Sequence, residues 1–403
     1  MINNVYSKLK QTIGQNVLSK LNKISGAIVI IGTGNFGRAV NKLLASHDKV
    51  KVVCFCSSFE PTVSELEGLP VFSLSEAYAR YKDAFYLICS ESFRSIVLDI
   101  KKDQRYRELK ICNDGNLDFY ILLQGYVEAA LLEENPQRMN FSLSYIFNNV
   151  KYVNELYESG RLERDVCDFE SVLIDEDSKT LLRSRIKSFL SGDASSYFSI
   201  PVDKKQYFSP AIINADSIQC FFDCGAFTGD TIINFYKETK GRYSQIVAFE
   251  PSNCNYLRLK EFIESSKTFF HNVKLVNSGV GEDNSRLSFI DDGSGSHVLD
   301  ALPSSDRNEK IEDILIEKID NYIDYAPSYI KMDVEGFELA ALRGAKETIR
   351  RYQPCLAICL YHKPEDVFEI YKYILSLVPS YRFKLRKHMD YFLEFVLYAF
   401  PRR

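Results

Sequence analysis

Two acidic residues in the C-terminal half of the chain follow short apolar stretches, and both could contact a bound nucleoside. Residues 219–231 read QCFFDCGAFTGDT, so an apolar strand leads to Asp223 and is followed by Gly225 and Gly229. Glycine allows a sharp turn and lets a ligand approach the backbone closely. The next apolar stretch, IVAF, leads to Glu250, where a carboxylate can accept hydrogen bonds from both hydroxyls of a ribose. The spacing D-x-G-x-x-x-G differs from the dinucleotide pattern G-x-G-x-x-G and indicates S-adenosylmethionine rather than NAD.

Further candidates lie at the ends of two later strands and in one loop. The segment YIKMDVEGFE places Asp333 and Glu335 at a strand end beside Lys331, which would be costly without partners or a ligand. The other interpretation is that the glutamates of this segment only favour the start of the following helix. His362 follows the strand CLAICLY, and His297 lies in the loop DDGSGSHV, where it could fold over a substrate or remain solvated. Asp333, Glu335, His362 and His297 are therefore the candidates for a catalytic base.

The elements that must position these residues alternate between strand and helix from residue 219 onwards. This alternation predicts a doubly wound, mainly parallel sheet. The last segment predicts two antiparallel strands, so that the sheet ends in a hairpin. The expected strands lie near 219–223, 246–250, 273–277, 286–290, 328–333, 355–361 and 381–398.

The N-terminal part predicts a second α/β unit with its own glycine loop. Strands are expected at Ala27–Ile31, in KVVCF up to Phe55, and in AFYLIC, with a helix from Arg38. A dinucleotide site also needs an acid at the end of the second strand, and none occurs before Glu60, which argues against NAD. Binding of a nucleotide or nucleotide-sugar, binding of NAD(P), and a structural or interaction role all stay open. The candidate nucleotide-binding residues of this loop are Gly32, Gly34, Asn35, Phe36 and Gly37.

Length and composition limit the class of protein. A chain of 403 residues favours two domains. We expect an N-terminal Rossmann-like domain at 1–116, a helical connector at 117–204 and a second Rossmann-like domain at 205–403. The net charge of −4 gives no reason to expect a nucleic acid partner.

The remaining composition points to a soluble enzyme without a structural metal. No apolar stretch is long enough to span a bilayer, and the amphipathic first helix lacks the apolar core of a signal peptide. Ten cysteines without zinc spacing favour a reducing, cytoplasmic location and no metal site. A homo-oligomer is compatible with the sequence, which leaves the oligomeric state open.

Several segments resemble the FkbM family of S-adenosylmethionine-dependent methyltransferases over residues 205–400. The segments are DCGAFTGDT, AFEPSNCN, VNSGVGED, IKMDVEGFELAALRGA and CLYHKPED. The resemblance implies a class I methyltransferase fold, with Glu250 at the ribose and Asn277 and Ser278 beside the adenine. Contacts with the methionine end are implied for Asp223, Gly225 and Gly229, and Asp333 is a further cofactor-binding candidate.

Members of this family typically methylate hydroxyl oxygens of sugars, polysaccharide precursors or polyketides. We therefore expect an O-methyltransferase that acts on a hydroxyl of a sugar, nucleotide-sugar or glycan precursor during polysaccharide biosynthesis. Two alternatives stay open: a bifunctional protein with an NAD(P)-dependent sugar-modifying N-terminal domain, and a non-catalytic nucleotide-binding scaffold.

Overall fold

The computed structural model is a mixed α/β protein with mainly parallel sheets, as the sequence predicts. It describes residues 2–21, 23–45, 48–57, 61, 63–90, 93–112, 123, 127, 141–290, 297–298, 311–389 and 391–402. Two compact units can be separated, and each consists of two stretches of chain. The first is Met1–Asn154 with Ile186–Ser199, and the second is Glu155–Arg185 with Ile200–Arg403. The domain boundaries expected after residues 116 and 204 stay a prediction.

The first unit contains a six-stranded sheet in the order β3-β4-β2-β1-β5-β6. Neighbouring strands are parallel, except for the antiparallel pair β3 and β4. The strands are β1 Gly26–Ile31, β2 Val50–Ser57, β3 Glu65–Leu66, β4 Leu69–Ser73, β5 Phe85–Ile88 and β6 Lys110–Ile111. The helices of this part are α1 Ile2–Leu21, α2 Asn35–Ala45, α3 Leu74–Arg80 and α4 Phe93–Lys102.

Two details of the first unit bear on the sequence predictions. The predicted amphipathic helix is confirmed, because Leu9, Ile13 and Val17 of α1 are buried. Helix α2 begins at Asn35 rather than at the expected Arg38, so its first turn lies inside the glycine loop. A nucleotide-binding role for this unit stays a prediction.

Helices fill residues 141–199, in agreement with the predicted helical segment where it is described. They are α5 Phe141–Glu158, α6 Leu162–Val172, α7 Glu176–Ser191 and α8 Ser195–Ser199. The helix expected from residue 117 falls almost entirely outside the described residues. No described helix meets the length and apolarity that crossing a bilayer requires.

The second unit is built on a seven-stranded sheet in the order β16-β17-β15-β14-β7-β8-β9. Strand β17 is antiparallel to both neighbours and the other pairs are parallel, which confirms the predicted terminal hairpin. The strands are β7 Cys220–Cys224, β8 Gln245–Phe249, β9 Val273–Val276, β14 Tyr329–Met332, β15 Cys355–Cys359, β16 Arg382–Lys387 and β17 Phe395–Phe400. The helices between them are α9 Asp230–Thr239, α10 Asn253–Ser265, α11 Glu338–Gly344, α12 Lys346–Tyr352 and α13 Asp366–Leu377.

Strand β7 lies at the point where the strand order reverses. Its neighbours are β8, the next strand in the chain, and β14, which follows much later. Open α/β sheets bind ligands outside the carboxyl ends of the strands at such a switch point. The topology therefore places the ends of β7, β8, β14 and β15 at one edge, where a site is expected.

A separate four-stranded sheet corrects one expectation. The predicted strand at 286–290 is present as β11, but it belongs to a sheet ordered β10-β13-β11-β12 rather than to the large sheet. The strands are β10 Gly279–Val280, β11 Ser285–Ile290, β12 His297–Val298 and β13 Ile311–Glu317. Strand β13 was not predicted. It pairs antiparallel with β11, and its Ile314 and Ile316 pack against Leu287. Buried and exposed residues alternate along β13, so only one of its faces is buried, and the apolar cluster is small.

A buried ion pair joins β7 to β14. Asp223 and Lys331 are partners in the register of these strands, and Lys331 Nζ lies 3.2 Å from Asp223 Oδ1. The ammonium also donates to the Gly225 carbonyl at 2.6 Å. Burial alone would lower the pKa of Lys331, but the carboxylates of Asp223 and Asp333 hold it above its usual value, so the ammonium stays charged.

We expect Lys331→Met to lower the free energy of unfolding by about 3–5 kcal/mol, because it leaves the Asp223 carboxylate buried without a counter-charge. Urea denaturation near neutral pH measures the effect. The double variant Asp223→Asn/Lys331→Met should recover much of the loss, since the two changes together remove both charges.

Lys179→Met is the matched control. Lys179 forms an ion pair with Glu176 at 2.7 Å on the exposed face of α7, where such a pair contributes only about 0.5 kcal/mol. If Lys331→Met cost no more than this control, the buried ion pair would not hold the two strands together.

Candidate active site

The sequence-predicted residues of the second unit follow four adjacent strands at one edge of the sheet. Asp223 is the last residue but one of β7, Glu250 follows β8, Asp333 follows β14, and His362 comes shortly after β15. Parallel strands bring their carboxyl ends to the same edge. In each case a buried apolar strand comes before the polar residue. The side chain of that residue can therefore reach this edge of the sheet.

The glycine loop after β7 packs closely against its neighbours. Gly225 has φ +84°, and a Cβ built on it would lie 1.9 Å from the carbonyl oxygen of Asp333. Gly229 has φ +96°, and its Cβ would lie 2.9 Å from Leu259 Cδ1. Close packing within the protein is therefore enough to require both glycines. Their contact with a cofactor stays a prediction.

Glu250 holds this loop from the tip of β8. Its buried carboxylate accepts hydrogen bonds from the backbone N–H of Phe227 at 2.8 Å and of Ser252 at 3.0 Å. Burial raises the pKa of Glu250 to about 7, although the backbone donors favour the charged form. A carboxylate oxygen can accept more than one hydrogen bond, so capacity remains for a ligand.

The loop after β9 lies next to Glu250. Asn277 Nδ2 donates to the backbone carbonyl of Glu250 at 3.0 Å. The Ser278 hydroxyl is buried and has no hydrogen-bond partner in the part of the chain that is described. Such an unpaired buried hydroxyl calls for a partner from outside the protein.

Asp333 is fixed by two tyrosines. Tyr207 donates to Oδ2 at 3.1 Å and Tyr361 donates to Oδ1 at 3.0 Å. Burial alone would raise the pKa of Asp333, but the charges of Lys331 and His362 hold it below its usual value. The Asp333 carboxylate is therefore ionised at neutral pH and points in one fixed direction.

His362 lies among three carboxylates. Its Nδ1 is 2.7 Å from Glu338 Oε1, and its Nε2 is 3.3 Å from Glu335 Oε2 and 3.6 Å from Asp333 Oδ1. Burial alone would lower the pKa of His362, but Glu338 and Glu335 hold it well above its usual value. A protonated imidazole has no free lone pair, so in this state His362 cannot act as the base.

The structure thus brings together Asp333, Glu335 and His362 from the four catalytic candidates. The backbone of His297 lies in β12 opposite Ile290, and its side chain is outside the described residues. Asp223 is fully buried in its pair with Lys331 rather than open at the edge.

The first glycine loop lies in the first unit. A Cβ on Gly32 would come within 2.1 Å of the Cys89 carbonyl, whereas one on Gly34 would meet nothing within 4 Å. Gly37 lies in the first turn of α2, together with Asn35 and Phe36. Ser58 and Glu60, which bear on the missing strand-tip acid, are outside the described residues.

Three residues of the site were not predicted from the sequence. Tyr361 precedes His362 at the strand end, and Glu338 begins α11, where it accepts from the Val334 N–H at 3.0 Å. Tyr361 carried a local signal, because a polar group shortly after a buried strand faces the ligand edge, and Glu338 is an acid at the start of a helix. Tyr207 lies in the segment Lys205–Phe208, which could close over a cofactor, but its contact with Asp333, 126 positions later, carried no signal.

Comparison with known proteins agrees with this geometry. Residues 223–385 match the family model described as the methyltransferase FkbM domain. A crystal structure of methyltransferase FkbM from Methylobacillus flagellatus has 22% identity and a TM-score of 0.55, with 99% of each chain covered. At this identity the likeness concerns the fold.

Two further solved structures are similar over about half of this chain. An rRNA methylase from Streptococcus thermophilus has 13% identity and a TM-score of 0.31, covering 47% of this chain and 92% of its own. Fibrillarin from Aeropyrum pernix, solved with S-adenosyl-L-methionine, has 12% identity and a TM-score of 0.28, covering 49% and 70%. No curated protein matches the sequence. Residues 223–385 thus match the FkbM methyltransferase family, which makes a methyltransferase the function that the comparisons support.

Proposed function

We propose that the protein is an S-adenosylmethionine-dependent O-methyltransferase that acts on a hydroxyl of a sugar, nucleotide-sugar or glycan precursor. One observation carries the proposal. The same sheet edge holds the glycine loop with Glu250, which suits a nucleoside, and the group of Asp333, Glu335 and His362, which suits a hydroxyl. A transferase must hold cofactor and acceptor next to each other, because their positioning provides much of the rate enhancement.

The residues present fit S-adenosylmethionine. Glu250 would accept from the ribose hydroxyls, and the unpaired Ser278 hydroxyl with Asn277 would contact the adenine. The backbone of the loop from Gly225 to Gly229 would hold the methionine end of the cofactor. Gly229 directly precedes α9, and a helix N-terminus favours the carboxylate of the methionine moiety. Asp223 would act on this loop through Lys331, which donates to the loop carbonyl.

When bound, this cofactor supplies a methyl group whose bond to sulfur breaks as the carbon–oxygen bond forms, with the electron pair left on sulfur. The chain must hold the acceptor oxygen and take its proton. We assign proton acceptance to Glu335, whose side chain is 40% exposed, and positioning to Asp333 and His362. The His362 side chain is buried, the Asp333 side chain is 25% exposed, and both already have polar partners, so they set the direction from which an acceptor approaches.

A carbohydrate acceptor suits the chemistry of this site. Carboxylates are hydrogen-bond acceptors that suit the adjacent hydroxyls of a sugar ring. The resemblance of the sequence to sugar-modifying methyltransferases supports the same class. For the first unit we propose contact with a nucleotide or nucleotide-sugar at the loop from Gly32 to Gly37, where Gly34 leaves space for a close approach.

Glu250→Gln should weaken the binding of S-adenosylhomocysteine by roughly 1–3 kcal/mol, because a buried carboxylate that accepts from ribose hydroxyls is replaced by a neutral amide. Isothermal titration calorimetry near pH 8 measures the change. Glu261→Gln, an exposed change on α10, is the control and should leave the affinity as it is. No heat with the unmodified chain would contradict the proposed cofactor.

The affinity for S-adenosylhomocysteine should also depend on pH. Because the pKa of Glu250 is raised to about 7, the carboxylate is present above pH 7 and becomes protonated below it. Affinity should fall about tenfold between about pH 8 and pH 6. The charged group that acts on Glu250 is Lys331, which stays protonated throughout.

Calorimetry of the unmodified chain and Glu250→Gln over this pH range tests the assignment. The dependence should disappear in the variant, since the amide does not titrate. An equal slope in both proteins would assign the titration to another group and place the ribose elsewhere.

A further inference from the structure

A continuous chain of hydrogen bonds connects the terminal hairpin of the second unit to Asp333. It begins at His388, which directly follows β16, and passes through Tyr398 of β17 to Tyr207. The Tyr207 hydroxyl then donates to Asp333 Oδ2 at 3.1 Å. His388, Tyr398 and Tyr207 are all buried. Buried polar groups that are bonded in a fixed order hold one another in one orientation.

The direction of each bond in this chain follows from the backbone carbonyl of Asp203. His388 Nδ1 lies 2.7 Å from that oxygen, and a carbonyl only accepts, so Nδ1 carries the proton. Burial lowers the pKa of His388, which keeps the ring neutral and leaves Nε2 as an acceptor. Tyr398 therefore donates its hydroxyl proton to Nε2 at 2.7 Å. The oxygen of Tyr398 in turn accepts the backbone N–H of Tyr207 at 2.9 Å.

The backbone of Tyr207 needs such partners, because its conformation is uncommon. Its φ of +66° lies in the left-handed region, which residues other than glycine seldom adopt. Tyr398 accepts from its N–H, and the hydroxyl of Tyr329 in β14 donates to its carbonyl at 2.5 Å. A strained backbone persists only where its neighbours fix it, and such residues are frequent at functional sites. These two tyrosines thus determine where the Tyr207 side chain leaves the backbone.

The far end of the Tyr207 side chain is fixed as well. Its hydroxyl proton goes to Asp333, so the thiol of Cys359, which lies 3.3 Å away, donates to the hydroxyl oxygen. Burial raises the pKa of Cys359, and the thiol therefore keeps its proton. The ring also lies 5.5 Å from the ammonium of Lys331. The phenol is thus held on several sides, with its proton directed at the Asp333 carboxylate.

We infer that His388 and Tyr398 are positioning residues of the methyltransferase site, and that they act on Asp333 through Tyr207. The inference rests on the proposed function in one respect, since Asp333 there directs the approach of the acceptor hydroxyl. The terminal hairpin then has a role besides completing the sheet. It holds the segment from Asp203 to Tyr207 at both ends, and this segment holds the carboxylate.

The alternative is that these groups only satisfy one another inside a buried hairpin. A change at Tyr398 would then alter the stability of the protein but not the surroundings of Asp333. The two possibilities differ at His362, whose Nε2 lies 3.6 Å from Asp333 Oδ1. Loss of the tyrosine donor leaves more negative charge on the carboxylate that faces this ring. The pKa of His362 should therefore rise if the chain of hydrogen bonds controls Asp333.

The test is long-range proton–nitrogen NMR of the full-length chain labelled with ¹⁵N in histidine. The spectrum shows the tautomer and the protonation state of each ring, and it requires neither cofactor nor acceptor. The chain has five histidines, and replacing them singly assigns the signals. Near neutral pH, His388 should be neutral with its proton on Nδ1. Tyr398→Phe should remove the hydrogen bond at His388 Nε2 and raise the pKa of His362 by about half a unit or more.

Tyr207→Phe separates the two ends of the chain. It removes the donor to Asp333 but keeps the backbone N–H that Tyr398 accepts. The pKa of His362 should therefore rise by a similar amount, while the signals of His388 stay as they are. The double variant Tyr207→Phe/Tyr398→Phe should shift His362 no further than Tyr207→Phe alone, because both changes act through the same hydroxyl.

Tyr371→Phe is the matched control. Tyr371 is also a buried tyrosine, but its hydroxyl makes no hydrogen bond within the described residues. This variant should leave both histidines unchanged. Circular dichroism checks that the variants fold, and His388→Asn replaces Tyr398→Phe if that variant does not. Asparagine can still donate to the Asp203 carbonyl but has no acceptor at the position of Nε2, so it should also raise the pKa of His362.

Two results would overturn the inference. One is a His388 ring that is protonated, or that carries its proton on Nε2, in the unmodified chain near neutral pH. The other is an unchanged pKa of His362 in folded Tyr398→Phe or His388→Asn, which would limit the hairpin to a structural role whatever Tyr207→Phe shows. Calorimetry with S-adenosylhomocysteine on the same preparations tests the proposed cofactor separately, so the two failures can be distinguished.

Discussion

The site depends on one buried positive charge, the ammonium of Lys331. Taking an ammonium out of water costs several kcal/mol unless partners surround it, and here they come from three directions. Asp223 lies across the strand pair, the Gly225 carbonyl lies above, and the Tyr207 ring is 5.5 Å from Nζ. These partners all lie at least 106 positions before Lys331 in the chain. The charge therefore fixes the start of the glycine loop relative to the end of β14, which is where both proposed ligands must meet.

The site around His362 has an excess of negative charge, which follows from how Lys331 is paired. Lys331 is shared between Asp223 and Asp333, so it compensates only part of the negative charge around His362. Asp333 is held by two tyrosines and is 25% exposed, and Glu338 is fully buried, so Glu335, at 40%, is the most exposed of the three acids. A surplus of negative charge in a partly dry space attracts cations. A sulfonium cofactor would benefit from this negative charge.

The sequence predicted the large sheet of the second unit well, because most of its strands are strongly apolar and its turns contain glycine or an acid. It also predicted that Asp333, Glu335 and His362 lie together, since strand ends meet at one edge. It failed where the information is distant or weak. Tyr207 reaches Asp333 only through the fold, and β13 has an alternating pattern that buries two isoleucines. The ion pair of Lys331 could not be predicted either, because it depends on which strand becomes the neighbour of β7.

Glycine is required in both glycine loops of this chain for reasons that do not depend on a ligand. We expected Gly225 and Gly229 to make room for a ligand, yet the space at each is filled by the protein itself. Gly32 in the first unit is likewise required by a neighbouring carbonyl. A glycine pattern after a strand therefore indicates a tight corner, whether or not a ligand binds there. What distinguishes the second loop is Glu250, whose carboxylate bonds the loop backbone and retains capacity for a ribose. The assignment of the cofactor rests on that carboxylate and on the unpaired hydroxyl of Ser278, and the glycines only bring the backbone to them.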